Sequence, residues 1–278
     1  MRIQQANFTA SGASVEIFFD GRSLRALAGE TVAAALHANG IQAFRNTRHD
    51  RPRGLYCGMG ACFDCVLTVD GRAGVRACIE TVRAGQVVRS GMPLGTDMDP
   101  LAPLCSVPTR AEPQTVTVDV LVVGAGPAGL SAAIAAARSG ATVVVLDERP
   151  QSGGQYFKPL ARSHTVARPG DRQFAEGLQL TERALALGVR IHQKATVWGA
   201  DSAEEVVAMV DGAETLFKPG QLILATGAYE RPVPFENWTV PGVMTTGAAQ
   251  TLVRSYQVTP GRRVVIAGNG PLNLQLAV

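Results

Sequence analysis

Four cysteines constrain this chain more than any other feature. Cys57, Cys62 and Cys65 stand in the spacing C-x4-C-x2-C, and Cys78 follows after 12 further residues. That is the plant-type arrangement of ligands for a 2Fe–2S cluster. Three thiolates on one tight loop can wrap one side of a small cluster. Gly58 and Gly60 allow the loop positive φ and bring backbone N–H groups near the sulfurs. The Asp70-Gly71 turn then folds the chain back and returns Cys78 beside Cys65. Two other readings stand beside this one. Zinc sites pair cysteines in two C-x2-C knuckles, and one such pair is present here. Four inert buried thiols are the remaining alternative. The fifth cysteine, Cys105, lies outside the motif and reads as a spare thiol.

The surroundings of the motif read as a β-grasp, ferredoxin-like domain over residues 1–92. Ser14–Phe19 alternates, Asp20-Gly21 turns, and Arg22–Ala28 returns as a hairpin. Glu30–Asn39 is helical with Gly40 just past its end. Val66–Val69 is a strand, and Ala73–Ile79 is its return. Arg45, Arg48, Arg51 and Arg53 precede the cysteine loop. A four-thiolate cluster is formally about −2 when oxidised, so nearby cations would raise its potential. The same arginines also read as a dock for an acidic partner or as a plain solvated face. Five prolines between Pro93 and Pro113 make residues 93–116 a stiff connector.

From Thr117 the pattern becomes βαβ. Val118–Val123 is a buried strand, Ala128–Ser139 a helix closed by Gly140, and Thr142–Leu146 a second strand. Between the first strand and the helix stands Gly124-Ala-Gly126-Pro-Ala-Gly129, the G-x-G-x-x-G dinucleotide fingerprint in its proper context. Gly124 makes the turn, Gly126 lets a pyrophosphate reach the backbone, and Gly129 lets helix pack on sheet. The helix N-terminus supplies N–H groups and positive potential. Asp147 follows the end of the second strand, 23 residues after Gly124, where a carboxylate accepts from ribose hydroxyls.

Phe174–Leu187 reads as a helix. Val189–Gln193, Val206–Val210 and Leu222–Ala225 read as strands. Gly154 and Gln155 lie either near a flavin or its pyrophosphate or in a plain loop. A second glycine turn, Gly268-Asn-Gly270, follows a strand expected at Arg263–Ala267. Asn273 takes the place of its third glycine, which weakens the case for a nicotinamide dinucleotide. The division expected is therefore an α+β ferredoxin-like domain followed by an incomplete α/β Rossmann-like FAD/NAD(P)-binding domain. Its FAD part is residues 117–262, and residues 263–278 begin an NAD(P)-like part. Val278 falls inside the next helix, so a piece of a longer protein is expected, holding FAD weakly by itself.

Composition excludes several classes. Lysine and arginine total 26 against 23 acidic residues, too balanced for nucleic-acid binding. The charge-free run Val120–Ala137 is broken by glycines and a proline, so it reads as strand, turn and helix rather than a membrane span. No secretory signal is visible, and the expected location is cytoplasmic, at most peripheral on the inner membrane. His37, His49, His164 and His192 form no ligand set and read as ordinary histidines. No residue reads as a general acid or base.

The segments Arg53–Cys65, Arg76-Ala-Cys78, Leu224–Pro232 and Pro241–Gln250 resemble the α-type subunits of bacterial amine and imino-acid dehydrogenases, a family that includes opine oxidase, hydroxyproline dehydrogenase and hydrogen cyanide synthase. Leu224-Ala-Thr-Gly227 is similar to the second FAD signature of two-dinucleotide flavoproteins. The resemblance implies FAD at Gly124, Gly126, Gly129, Asp147 and Gly227, and a 2Fe–2S cluster at Cys57, Cys62, Cys65 and Cys78. It also implies a β-type partner subunit that carries its own flavin and oxidises the substrate, while this chain passes the electrons on. The rivals are an NAD(P)H-dependent FAD/2Fe–2S reductase and a non-catalytic assembly subunit.

Overall fold

A computed structural model describes residues 1–3, 8–91, 113–166 and 172–277. The connector expected at 93–116, with Cys105, lies almost wholly outside the described residues. In chain order the elements begin with β1 (Phe8–Ala10), β2 (Ser14–Phe19), β3 (Arg22–Leu27), α1 (Val32–Ala38), β4 (Ala43–Asn46), β5 (Pro52–Gly54), β6 (Val66–Val69), β7 (Arg72–Arg76) and β8 (Val87–Arg89). There follow β9 (Gln114–Val123), α2 (Pro127–Arg138), β10 (Val143–Asp147), α3 (Gly154–Phe157), β11 (His164–Val166) and α4 (Arg172–Ala186). The last are β12 (Arg190–Gln193), β13 (Thr196–Ser202), β14 (Glu205–Val210), β15 (Ala213–Leu224), α5 (Thr246–Tyr256) and α6 (Pro271–Ala277).

The chain divides into two units. One comprises Met1–Leu94, Leu160–Gly170 and Tyr229–Val278, and the other Gly95–Pro159 and Asp171–Ala228. Division by contact thus differs from division by motif, because the stretch after Ala228 packs with the cysteine-bearing unit.

The first unit is built on a five-stranded sheet in the order β3-β2-β8-β6-β7. The β2–β8 pair is parallel and the others are antiparallel. Both hairpins turn at Asp-Gly pairs whose two residues have positive φ, as type I′ turns demand. Helix α1 buries Val32 to His37 over this sheet, with Ile17, Leu24, Leu67 and Val69 beneath. It starts at Val32, two residues later than expected, with Thr31 as its N-cap, whose hydroxyl accepts from Ala34 N at 3.3 Å. Glu30 is instead fully buried outside the helix. Its carboxylate takes a two-pronged bond from Arg2 at 2.7 and 2.8 Å and a third from Leu27 N at 2.8 Å. Leu252 of α5 and Val258 complete the same core.

The second unit carries a six-stranded sheet in the order β12-β10-β9-β15-β14-β13. The β10–β12, β9–β10 and β9–β15 pairs are parallel, and β13–β14–β15 is an antiparallel meander. Parallel strands covered on both faces read as continuous apolar runs, and Val143–Leu146 is buried throughout. Helix α2 lays Gly129, Leu130, Ala133 and Ile134 on one face of this sheet.

The strand expected at Arg263–Ala267 does not form. A strand needs a neighbour to take its backbone groups, and among the described residues this segment has none; Val265 is 94% exposed. No helix among the described residues is long and apolar enough to cross a membrane.

Candidate iron–sulfur and dinucleotide sites

In the first unit the loop from Cys57 to Cys65 leaves β5 and enters β6. Gly58, Gly60 and Phe63 take φ of +64°, +84° and +59°, so the loop coils tightly on itself. This coil turns Met59 N toward the Cys57 sulfur at 3.4 Å and Asp64 N toward the Cys62 sulfur at 3.5 Å. Cys57, Cys65 and Cys78 are buried, and Cys62 is half-buried. Ala77 N donates to the Cys65 carbonyl at 3.1 Å, which brings Cys78 against Cys65 after the β7 return.

The sulfurs form one linked set, Cys57 with Cys62 and Cys78, and Cys78 with Cys65. A hydrogen bond with Cys62, and then one with Cys78, holds the Cys57 thiol far below its usual range, while Cys57 pushes Cys62 far above it. Cys65 is lowered chiefly by its bond from Cys78, and Cys78 is raised by Cys57 and Cys65. The four thiols are thus joined to one another, and metal ions would displace their protons. Among the described residues, no three His, Cys, Asp or Glu side chains group closely enough for one mononuclear ion. A two-iron cluster asks for something else, four thiolates in one place, and the linked set Cys57, Cys62, Cys65 and Cys78 offers that. The donor set and the N–H groups aimed at sulfur fit such a cluster.

Two supports of the loop were not legible in the sequence. Arg76 donates to the Gly60 carbonyl at 2.9 Å and lies over the Phe63 ring at 5.3 Å. Its position two residues before Cys78 was the only available signal. Helix α5 presses on the loop from the other side. A Cβ at Gly58 would meet Ala248 Cα at 2.9 Å. Thr245, the N-cap of α5, donates its N–H to the Tyr56 carbonyl at 2.9 Å. Of the four arginines before the loop, Arg45 and Arg53 lie 4.0 and 3.6 Å from Asp64, while Arg48 and Arg51 are exposed. Burial raises the Asp64 carboxyl, and Arg53 and Arg45 oppose that rise.

In the second unit the glycine turn joins β9 to α2 at the C-terminal edge of the parallel strands, where ligands of open α/β sheets bind. Its glycines are there for different reasons. A Cβ at Gly124, whose φ is +109°, would lie 2.2 Å from the Ala225 carbonyl oxygen. A Cβ at Gly129 would lie 1.8 Å from the Gly124 carbonyl oxygen. Both are required by packing within the protein. A Cβ at Gly126 would meet only Gly154 Cα, at 3.9 Å, so the fold itself leaves that space open. Gly126 is also the N-cap of α2, with Pro127 in the first turn.

Asp147 is buried and both its oxygens are in use. Oδ2 accepts from Ala125 N at 2.6 Å and Oδ1 from Arg149 N at 2.8 Å. The carboxylate therefore ties the turn to the end of β10, and its remaining lone pairs are free for a ribose. Gly154 has φ of +62°, and Gly153 N donates to the Ala125 carbonyl at 2.8 Å. The pair packs against the dinucleotide turn rather than forming a detached loop. Gln155 reaches the Ala228 carbonyl at 3.3 Å, and Gly227 takes φ of +78° with open space around it. Gly124, Gly126, Gly129, Asp147, Gly154, Gln155 and Gly227 thus share one end of one sheet. The space at Gly126 and the donors at the start of α2 fit a dinucleotide pyrophosphate. In the first unit, the later turn at Gly268 is bridged by Asn273, which donates to the Ala267 carbonyl at 3.2 Å and accepts from Thr246.

A cysteine-loop β-grasp sheet followed in the chain by a parallel sheet with a dinucleotide turn defines an iron–sulfur flavin oxidoreductase. The chain belongs to the pyridine nucleotide-disulphide oxidoreductase family, matched over residues 118–278, and carries a 2Fe-2S iron-sulfur cluster binding domain at residues 12–93. Its cofactors are a 2Fe–2S cluster and FAD. It is 41% identical over 168 residues to one of the subunits of opine oxidase from Agrobacterium tumefaciens, covering 57% of this chain and 33% of that protein. It is 33% identical over 287 residues to the alpha subunit of sarcosine oxidase from a Corynebacterium species, covering 92% and 28%. It matches the crystal structure of L-proline dehydrogenase from P. horikoshii with a TM-score of 0.71 and 27% identity, over 91% of this chain and 48% of that one. The chain therefore spans a third or less of the length of these two curated relatives.

Proposed function

We propose that this chain is the electron-transferring FAD and 2Fe–2S part of an oxidoreductase that acts on amines, imino acids or opines, with electrons arriving from a partner flavoprotein subunit. The observation that carries the reading is the gathering of Cys57, Cys62, Cys65 and Cys78 into one linked set of sulfurs in the same chain as an open dinucleotide turn. That two of the relatives are named as subunits supports a partner. FAD exchanges electrons in pairs and a 2Fe–2S centre one at a time, which suits such a chain to relay.

The chain's own residues have definite tasks in this reading. Cys57, Cys62, Cys65 and Cys78 supply four thiolates. Met59 N and Asp64 N donate to sulfur and spread its negative charge, which favours the reduced state. Burial of Cys65 and Cys78 keeps water from one side of the site. Gly126 and the first N–H groups of α2 receive the pyrophosphate, Asp147 the ribose, and Gly124, Gly129, Gly154, Gln155 and Gly227 shape the pocket around them. The domains are then 1–92, a connector at 93–116, an FAD part at 117–262 and the start of an NAD(P)-like part at 263–278.

A second reading, an NAD(P)H-dependent reductase, is favoured by the glycine turn at Gly268 and weighed against by Asn273 in its third-glycine position. Anaerobic reduction separates the two. The partner and its amine, imino-acid or opine substrate should reduce the flavin and produce a one-electron EPR signal that Cys65→Ser abolishes. Rapid flavin bleaching by NADH without a partner would overturn the first reading in favour of the second.

A further inference from the structure

The first unit holds a cavity that neither site uses. Its volume is about 430 Å³, inside the span of about 300–1,000 Å³ usual for small-molecule sites. Arg51, just before β5, and Arg53 within it line one side. Residues 235–240 supply the other, chiefly Phe235, Trp238 and Val240. The lining therefore carries two guanidinium groups, two aromatic rings and no carboxylate.

The ring-bearing wall is set before any ligand arrives. Trp238 N donates to the Phe235 carbonyl and Val240 N to the Asn237 carbonyl, each at 3.1 Å, and Asn237 takes φ of +63° between them. These consecutive turns fix the segment. Trp238 also stands edge-on to Tyr56 at 5.1 Å, so its indole is held from behind. Phe235, by contrast, is 59% exposed, a large apolar surface with nothing over it. Arg51 makes no ion pair among the described residues. Arg53 lies 3.6 Å from Asp64 through Nε and gives Nη1 to the Pro52 carbonyl at 2.9 Å, which leaves Nη2 to face a ligand. A solvated face accounts for two arginines but not for two rings beside them. Guanidinium groups grip carboxylate or phosphate oxygens, and rings stack on flat apolar bodies.

We propose that this cavity binds a small organic anion with a flat apolar body, its carboxylate or phosphate held by Arg51 and Arg53 and its plane laid against Trp238 and Phe235. The test is calorimetric titration of the full chain with 2-naphthoate, with the neutral 2-naphthylmethanol and with inorganic phosphate. Saturable one-to-one binding of 2-naphthoate is expected, with both other probes at least tenfold weaker. Arg51→Gln should weaken 2-naphthoate about fivefold and Phe235→Leu about as much. Both residues are exposed, so these variants keep the fold, which circular dichroism checks. Trp238→Leu should weaken it at least tenfold. The proposal fails if 2-naphthoate does not saturate, if the neutral probe binds as well, if phosphate alone binds as tightly, or if Arg51→Gln changes nothing. It also fails if poly-glutamate binds in an Arg51-dependent way while 2-naphthoate does not, because that outcome marks a dock for an acidic polypeptide.

Discussion

His37 gives the first unit a dependence on pH that can be worked out in advance. The imidazole is buried in α1 under the β-grasp sheet, edge-on to Phe44 at 5.8 Å, and its Nε2 has no hydrogen-bond partner among the described residues. Burial, and then the positive Met1 amino group, lower its pKa from 6.5 to about 4. A lowered pKa means the folded state resists the proton that the unfolded chain accepts. Stability from this group is therefore complete above pH 6.5 and is lost as pH falls from 6.5 to about 4. The full loss is about 3 kcal/mol, from a gap of about 2.5 units at about 1.4 kcal/mol each. By pH 5.5 about 1.4 kcal/mol of it is gone. Urea unfolding at pH 7.5 and 5.5, followed by far-UV circular dichroism, measures the loss. The same pair of measurements on His37→Leu removes the contribution of every other titrating group. The variant should lose about 1.4 kcal/mol less than the wild type over that interval. Equal losses would refute the assignment of the proton to His37.

The glycine turn separates packing from ligand binding. Gly126→Ala should leave the unfolding free energy within about 1 kcal/mol of wild type while weakening FAD at least tenfold in a flavin titration. Gly129→Ala should destabilise by more than about 3 kcal/mol in urea unfolding, because its Cβ meets the Gly124 carbonyl. Asp147→Asn puts an amide N–H opposite the N–H of Ala125 or Arg149. It should cost about 1–3 kcal/mol of stability even without FAD, and a cost seen only with FAD bound would deny its role in tying the turn.

What the sequence made legible was local. The cysteine spacing, both Asp-Gly turns and the strand–glycine–helix unit are short patterns whose backbone demands are carried by the residues themselves. The less legible features depend on distant partners. Helix α5 begins with Thr-Gly and holds β-branched Thr and Val, so its propensity is poor. It is stabilised by burying Ala248, Ala249 and Leu252 against residues far earlier in the chain. Strand β13 escaped because Trp198-Gly-Ala-Asp-Ser202 has little apolar alternation and lies at the sheet edge. The apolar run 263–267 misled in the opposite sense, since β propensity forms no strand without a neighbour. At Asp147 the spacing gave a carboxylate near the turn, but which N–H groups it accepts from depends on how the turn folds back over β10.

The close fit of Gly58 against Ala248 has a consequence for how this protein can be re-engineered or can diverge. The iron–sulfur module is not a detachable cassette. Its ligand loop is moulded to a helix encoded roughly 190 residues downstream. A chimera that exchanged residues 12–93 alone would set a foreign loop against a helix never shaped for it. Grafts and recombinants that carry the two stretches together should survive where shorter ones unfold.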